Sequence, residues 1–238
     1  MSGTLSAEDA AWISAAREAR VLEHIREKNP QFKDGVIPMF CPDADRTEMR
    51  KHLDKLVARE TDGKPPRVHP LTSHGAALAL PWQSPLSNLS PFLFGFLTDR
   101  RVFRNWFWRA FIYITFPLWW IVGRVARIDI FFLIKFWWAI DHKGIKAVVL
   151  YIHAPCGAAG QCGISFLEQL RYLILAKRRL KRRLELLGIT VTCLCHVDYG
   201  NTADGYSGDE KEHPNTYFIR THKAEAWLEH LSQRKKNP

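Results

Sequence analysis

Cys41, His153 and Cys156 are the residues whose types and spacing can do chemistry in this chain. His153-Ala154-Pro155-Cys156-Gly157 follows directly on an apolar run, Ala147-Val148-Val149-Leu150-Tyr151-Ile152. A β-branched run ending in His-x-x-Cys-Gly delivers an imidazole and a thiol to the carboxyl end of one strand. Neutral imidazole and thiolate are ligands that zinc takes, in sets of three or four protein groups. Two are too few, and Cys41 is the best third, because it ends another short apolar run, Val36-Ile37-Pro38-Met39-Phe40. Three ligands with an open fourth position form the catalytic arrangement, in which bound water ionises near pH 7. The competing reading is a core histidine with buried cysteines that pack as small hydrophobes. Cys162, Cys193 and Cys195 read as plain core or loop residues.

These ligands need a scaffold, and in open α/β sheets ligands gather at the carboxyl ends of strands. Helical spacing of Trp12, Ala15, Ala19, Leu22 and Ile25 predicts a helix over 7–28, stopped by Asn29-Pro30. A strand over 35–40, a helix over 45–60 and a loop over 61–66 follow. Another strand is expected within 67–80, interrupted at Ser73-His74-Gly75, a loop from which His74 and Gly75 could line the site. The run 146–152 is a strand leading into a small-residue loop, Gly157 to Gly163, where Gly157 and Gly160 could turn amides toward an anion. A long helix over 164–187 is closed by Gly188, and 189–195 is a strand. This β–α–β order implies parallel pairing. A polar tail over 201–214 and a helix over 222–233 complete the chain. The expected fold is α/β, a mainly parallel central sheet flanked by helices. It forms a single zinc domain over 1–238, with an N-terminal helical arm (1–30) and an aromatic-rich helical insertion (90–140).

Composition supports a packed domain, since 47% of the 238 residues are hydrophobic and 24% charged. Five cysteines, an odd number, and no secretory pattern in Met1–Ala16 favour a reducing, cytoplasmic setting with thiols. The net charge of +10 makes contact with anionic surfaces plausible. The basic run from Lys177 to Arg183 reads as a solvated helix face, with anionic lipid or nucleic acid as alternatives; no nucleic-acid partner is expected. Six of the nine tryptophans fall between Val102 and Ile140. The uncharged run Ala110–Gly123 is short of the ~20 residues a membrane-spanning helix needs, and Lys135 breaks the run Ile130–Ile140. Residues 102–140 therefore read as a helical hairpin packing on the domain or a second subunit, with peripheral membrane contact as an alternative.

Cys41-Pro42-Asp43-Ala44-Asp45-Arg46 and His153-Ala154-Pro155-Cys156-Gly157 together resemble the motifs of the β-class carbonic anhydrases, Cys-x-Asp-x-Arg after one strand and His-x-x-Cys-Gly after a later one. The resemblance covers roughly 35–80 and 140–205, not the aromatic segment between them, which lengthens the spacing. It implies a β-carbonic-anhydrase-like fold, Zn2+ on Cys41, His153 and Cys156, and a homodimer or higher homo-oligomer. It further implies the interconversion of carbon dioxide and bicarbonate by zinc-bound hydroxide. Asp43 would orient the hydroxide, and Arg46 would hold Asp43. Arg46 matches the family's arginine with a one-residue slip, and Asp45 stands at the expected position. Hydrolysis of carbonyl sulfide or carbon disulfide, and a non-catalytic membrane-associated binding role, are the alternatives.

Overall fold

A computed structural model describes residues 5–24, 34–41, 68–72, 75–81, 83–86, 118, 121, 125, 128, 130–197 and 216–236. Its frame is a mixed six-stranded sheet in the order β1-β6-β5-β4-β2-β3. The strands are β1 (Leu22–His24), β2 (Ile37–Phe40), β3 (Leu71–Thr72), β4 (Ala147–Ala154), β5 (Thr190–Val197) and β6 (Thr216–Ile219). β3, β2, β4 and β5 run parallel to one another, whereas β6 is antiparallel to both β5 and β1. The sheet is mixed, with three parallel pairings on one side and an antiparallel edge formed by β6 and β1.

β4 lies inside the sheet, and all eight of its residues are buried. That explains why it reads as a continuous apolar run instead of an alternating one. Its register against β5 runs unbroken from Ala147↔Thr190 to Ala154↔Val197. Between them the chain forms α3 (Gly157–Gln161) and α4 (Phe166–Leu184). The loop expected over Gly157–Gly163 is instead this short helix, and the Gly160 N–H is spent on the Cys156 carbonyl at 2.9 Å. That amide is not available to an anion.

α4 starts at a capping box, with the Ser165 side chain and Glu168 each taking the other's backbone N–H. Phe166, Leu170, Leu173, Ile174, Leu180 and Leu184 bury one face. The helix relaxes into a 3-10 turn, Glu185–Leu187, and stops at Gly188 in the left-handed region (φ 68°). Much of its basic run serves the fold. Lys177 Nζ donates to Thr221 Oγ1 at 2.9 Å and Arg178 pairs with Glu225 at 2.7 Å, both on or at the start of α5 (Thr221–Lys236). Arg179 donates to Gln83.

α1 (Ala7–Glu18) ends ten residues earlier than its periodicity predicts. Arg20 adopts φ 53°, its N–H bonds the Arg17 carbonyl, and the Val21 N–H reaches the Ala16 carbonyl. This is a Schellman ending with arginine in the place glycine usually takes, which frees Leu22–His24 to become β1. Asp9 Oδ1 accepts the Phe166 N–H at 2.8 Å, and Trp12 meets Trp227 edge-on, so α1 is docked on α4 and α5. In the aromatic segment, α2 (Ile130–Lys143) is continuous through Lys135, whose Nζ lies 5.3 Å from the Phe132 ring centroid. Lys135 interrupts the apolar run but not the helix, because lysine is a good helix former and its stem packs along the helix. Among the described residues no helix is long and apolar enough to cross a membrane.

Candidate metal centre

Register alone brings the two motifs together. Met39 of β2 lies opposite Leu150 of β4 in a parallel ladder, so Cys41 and His153 emerge at the same carboxyl edge of adjacent strands. His153 is the penultimate residue of β4, one position inside the strand rather than after it. Cys156 follows as the N-cap of α3 in an extended conformation (φ −108°, ψ 117°), which sends its side chain back toward the strand end. The ligand atoms of Cys41, His153 and Cys156 all lie within 4.8 Å of one another, and all three residues are buried.

The triplet sits at a seam. Cys41 and Cys156 belong to the larger apolar cluster, beneath α1, α4 and α2. By strand alternation His153 shares its β4 face with Tyr151 and Val149, which belong to the smaller cluster. A third contact fixes Cys41, because the Gly75 N–H donates to its Sγ at 3.3 Å. Gly75 has φ +73°, and a Cβ there would come within 2.5 Å of Leu86 Cδ1. The left-handed backbone favours glycine there, and any side chain would also have to displace the Leu86 methyl. From Gly75 the chain enters a buried 3-10 turn, Ala76–Ala79, where another strand residue had been expected.

Polar satisfaction tests whether a metal fits. Among the described residues only two buried side-chain atoms lack a hydrogen-bond partner, Gln169 Oε1 and His153 Nε2. An orphaned buried nitrogen costs about 1–3 kcal/mol. The same imidazole has a ring nitrogen within 4.8 Å of two sulfurs, a donor set that zinc sites use. A soft cation would satisfy it, so the residues present fit the metal.

The other cysteines separate cleanly from this group. Cys193 and Cys195 are core residues of β5. Burial pushes the Cys193 thiol up to about 12, and burial raises that of Cys195 as well. Such groups stay protonated and do not serve as ligands. Cys162 is exposed, and no disulfide forms among the five.

Of the remaining residues named from sequence, Gly75 touches Cys41, and Gly157 opens α3 immediately after Cys156. Asp43, Asp45, Arg46 and His74 lie outside the described residues. One neighbour was not foreseen as part of the site. His196 lies directly opposite His153 across the β4–β5 ladder. It is buried, with Nδ1 2.9 Å from Thr216 Oγ1 on β6. The signal was present in Cys195-His196-Val197, but its relevance depends on the β4–β5 register and on β6, which the polar tail preceding it concealed. No family model, curated protein or solved structure matches this chain.

Proposed function

We propose that this chain is a zinc enzyme interconverting carbon dioxide and bicarbonate. The observation that carries the reading is the buried Cys41–His153–Cys156 triplet, with ligand atoms within 4.8 Å of one another and an unpartnered His153 Nε2. Three ligands leave one tetrahedral position open, as in catalytic and not structural sites. Zinc in such a position acts as a Lewis acid that brings the pKa of water to about 7, which supplies a nucleophile for the carbon of CO2 at neutral pH.

The protein's own groups do the rest. As thiolates, Cys41 and Cys156 would contribute the negative charge that holds a divalent cation in this buried place. His153 contributes a neutral nitrogen. The Gly75 N–H orients the Cys41 sulfur, the kind of outer contact that tunes a metal ligand. Asp43, two residues beyond Cys41, is assigned to accept a hydrogen bond from the reacting water and aim its lone pair. Arg46 is assigned to hold Asp43 ionised by a charge-assisted hydrogen bond. The resemblance of the two motifs to those of the β-class carbonic anhydrases is what points to CO2 as the substrate, with Cys41 and His153 meeting at one sheet edge. Thiolate ligation also suits a reducing compartment.

The test is metal analysis joined to turnover. Purified chain should carry one equivalent of zinc, and Cys41→Ser should lose it. Zinc-loaded chain should hydrate CO2 in a stopped-flow indicator assay, and Asp43→Asn should be slower by about 10²–10⁴-fold with zinc retained. Less than half an equivalent of zinc, indifferent to Cys41→Ser, sinks the proposal. Full zinc with turnover only of carbonyl sulfide or carbon disulfide moves the substrate and keeps the site.

A further inference from the structure

Two thiols held side by side have a second chemistry besides metal binding. The Sγ atoms of Cys41 and Cys156 lie within 4.8 Å of each other, and no disulfide joins them. A disulfide needs them about 2.05 Å apart. Cys41 stands one residue past β2, and Cys156 two residues past β4 in extended backbone. Neither lies within a strand ladder, so a change of side-chain rotamer with a small backbone shift closes the gap. The other three cysteines do not compete. Cys193 and Cys195 sit on β5, where burial pushes the Cys193 thiol up to about 12 and raises that of Cys195, which leaves both weak nucleophiles. Cys162 is exposed but caps the opposite end of α3 from Cys156. The helix between them sets their Cα atoms about 9 Å apart, beyond the ~7 Å that a disulfide spans. Access also ranks the pair. Cys156 is 5% exposed and Cys41 wholly buried, so a small oxidant meets Cys156 first and Cys41 lies behind it.

We infer that Cys41 and Cys156 are a peroxide-sensitive pair whose joining as a disulfide discharges the metal. The inference rests on the metal-centre reading for the cation and extends it to control of that site. The Cys156 thiolate attacks one oxygen of hydrogen peroxide, the O–O bond breaks, and the hydroxide that leaves is protonated to water. The Cys41 thiolate then attacks the sulfur of the resulting sulfenic acid, the S–O bond breaks, and a second water forms. Two thiolates, one peroxide and two protons thus become one disulfide and two waters. The sulfurs lose two electrons and the peroxide gains them. Zinc leaves as Zn2+, because the disulfide carries no charge and His153 alone is too few ligands. A dithiol restores the pair by exchange. The nearness of Cys41 keeps Cys156 from passing on to the irreversible sulfinic acid.

The test follows zinc and covalent state together, with no readout from turnover. Zinc-loaded chain, desalted from reductant, is treated with hydrogen peroxide beside a chromogenic zinc chelator, then digested without reduction for mass spectrometry. Peroxide should release one equivalent of zinc that stays bound when peroxide is omitted. It should also yield a linked Cys41–Cys156 peptide pair lighter by two hydrogens than the separate peptides. Dithiothreitol should restore both thiols and zinc uptake. Cys162→Ser should release zinc at an unchanged rate. Cys41→Ser, with no thiol to resolve the sulfenic acid, should carry Cys156 on to sulfinic acid. Zinc release with cross-links only through Cys162, sulfinic acid at Cys156 of the unsubstituted chain, or zinc retained without the Cys41–Cys156 link would each overturn the inference. The unsubstituted chain decides it whether or not the variants fold. A chain that releases zinc and forms the link but does not hydrate CO2 removes the proposed reaction and leaves this pair in place.

Discussion

Replacing His153 by leucine, a side chain of similar bulk without a polar atom, separates the metal-site reading from the core-histidine reading. In the metal-free protein Nε2 is buried without a partner, a condition costing about 1–3 kcal/mol. Removing it should leave metal-free stability unchanged or raised by up to that amount. For a chain of this size each kcal/mol moves Tm by roughly 2–4 °C. Zinc acts oppositely on the parent: at a thousandfold excess over its dissociation constant it stabilises by about 4 kcal/mol, or roughly 8–16 °C. His153→Leu should abolish most of that rise. Leu150→Ala is the control. Leu150 is fully buried in the same strand and no ligand, so the substitution should cost about 2–5 kcal/mol and leave the zinc response in place. Calorimetry on chelated and zinc-loaded samples of the three proteins reads each of these quantities. A metal-free His153→Leu protein that melts well below its parent, with an intact zinc response, would refute the reasoning, because Nε2 would then have had a protein partner.

Iodoacetamide at pH 8 should label only Cys162 in the folded, zinc-loaded protein, as mass spectrometry can check. Burial keeps Cys193 and Cys195 protonated, and adducts on either before unfolding would contradict their packing. Ser165→Ala removes the side-chain half of the α4 capping box, the hydroxyl that accepts the Glu168 N–H, and should lower stability by about 1 kcal/mol, seen as a Tm drop of roughly 2–4 °C. His69 is held below its ordinary pKa by burial and by Lys143, whose Nζ lies 2.8 Å from its Nδ1. The unfolded chain therefore takes up that proton first as pH falls. The stability His69 contributes is present above about pH 6.5 and is lost on acidification toward its folded value. His69→Gln should flatten that part of a urea-midpoint against pH curve, and an unchanged slope would remove His69 from the account. Amides of β2 should exchange faster after chelation than those of β5, by hydrogen-exchange mass spectrometry; equal changes in both would mean that the metal does not tie β2 to β4.

The interior of the sheet was legible because its signals are local. Val148–Ile152 is β-branched and uninterrupted, Ser165 and Glu168 form a cap readable by spacing, and Gly188 sits where a left-handed residue is needed. The metal triplet was legible for the same reason, since both cysteines and the histidine sit at or just past the ends of apolar runs. What failed depended on distant partners. β1 exists only because β6 pairs with it from the far end of the chain, Leu22 opposite Ile219, and the helix before it stops at Arg20 with no glycine to announce the stop. α3 contains two glycines in five residues, each costing about 1 kcal/mol in a helix, so only its placement over the strand end makes it helical. The basic run on α4 showed a helix face but not that α5 would engage it.

The placement of the triplet bears on how the sheet is held together. Roughly a hundred residues separate Cys41 from His153, and closing a loop of that length costs on the order of 4 kcal/mol before local terms. β2 meets β4 at three paired positions, Ile37, Pro38 and Met39, and the middle one is a proline that donates no ladder hydrogen bond. β4 and β5, by contrast, are joined at eight positions and separated by a short crossover. Of the two parallel junctions that β4 makes, the weaker is therefore the one whose carboxyl end carries Cys41 on one strand and His153 on the other. A cation bound to both would lock that junction at Cys41, just past the end of β2 and two residues before Asp43 in the sequence. On this argument the metal would both supply the chemistry and fix the strand end from which the proposed catalytic aspartate departs.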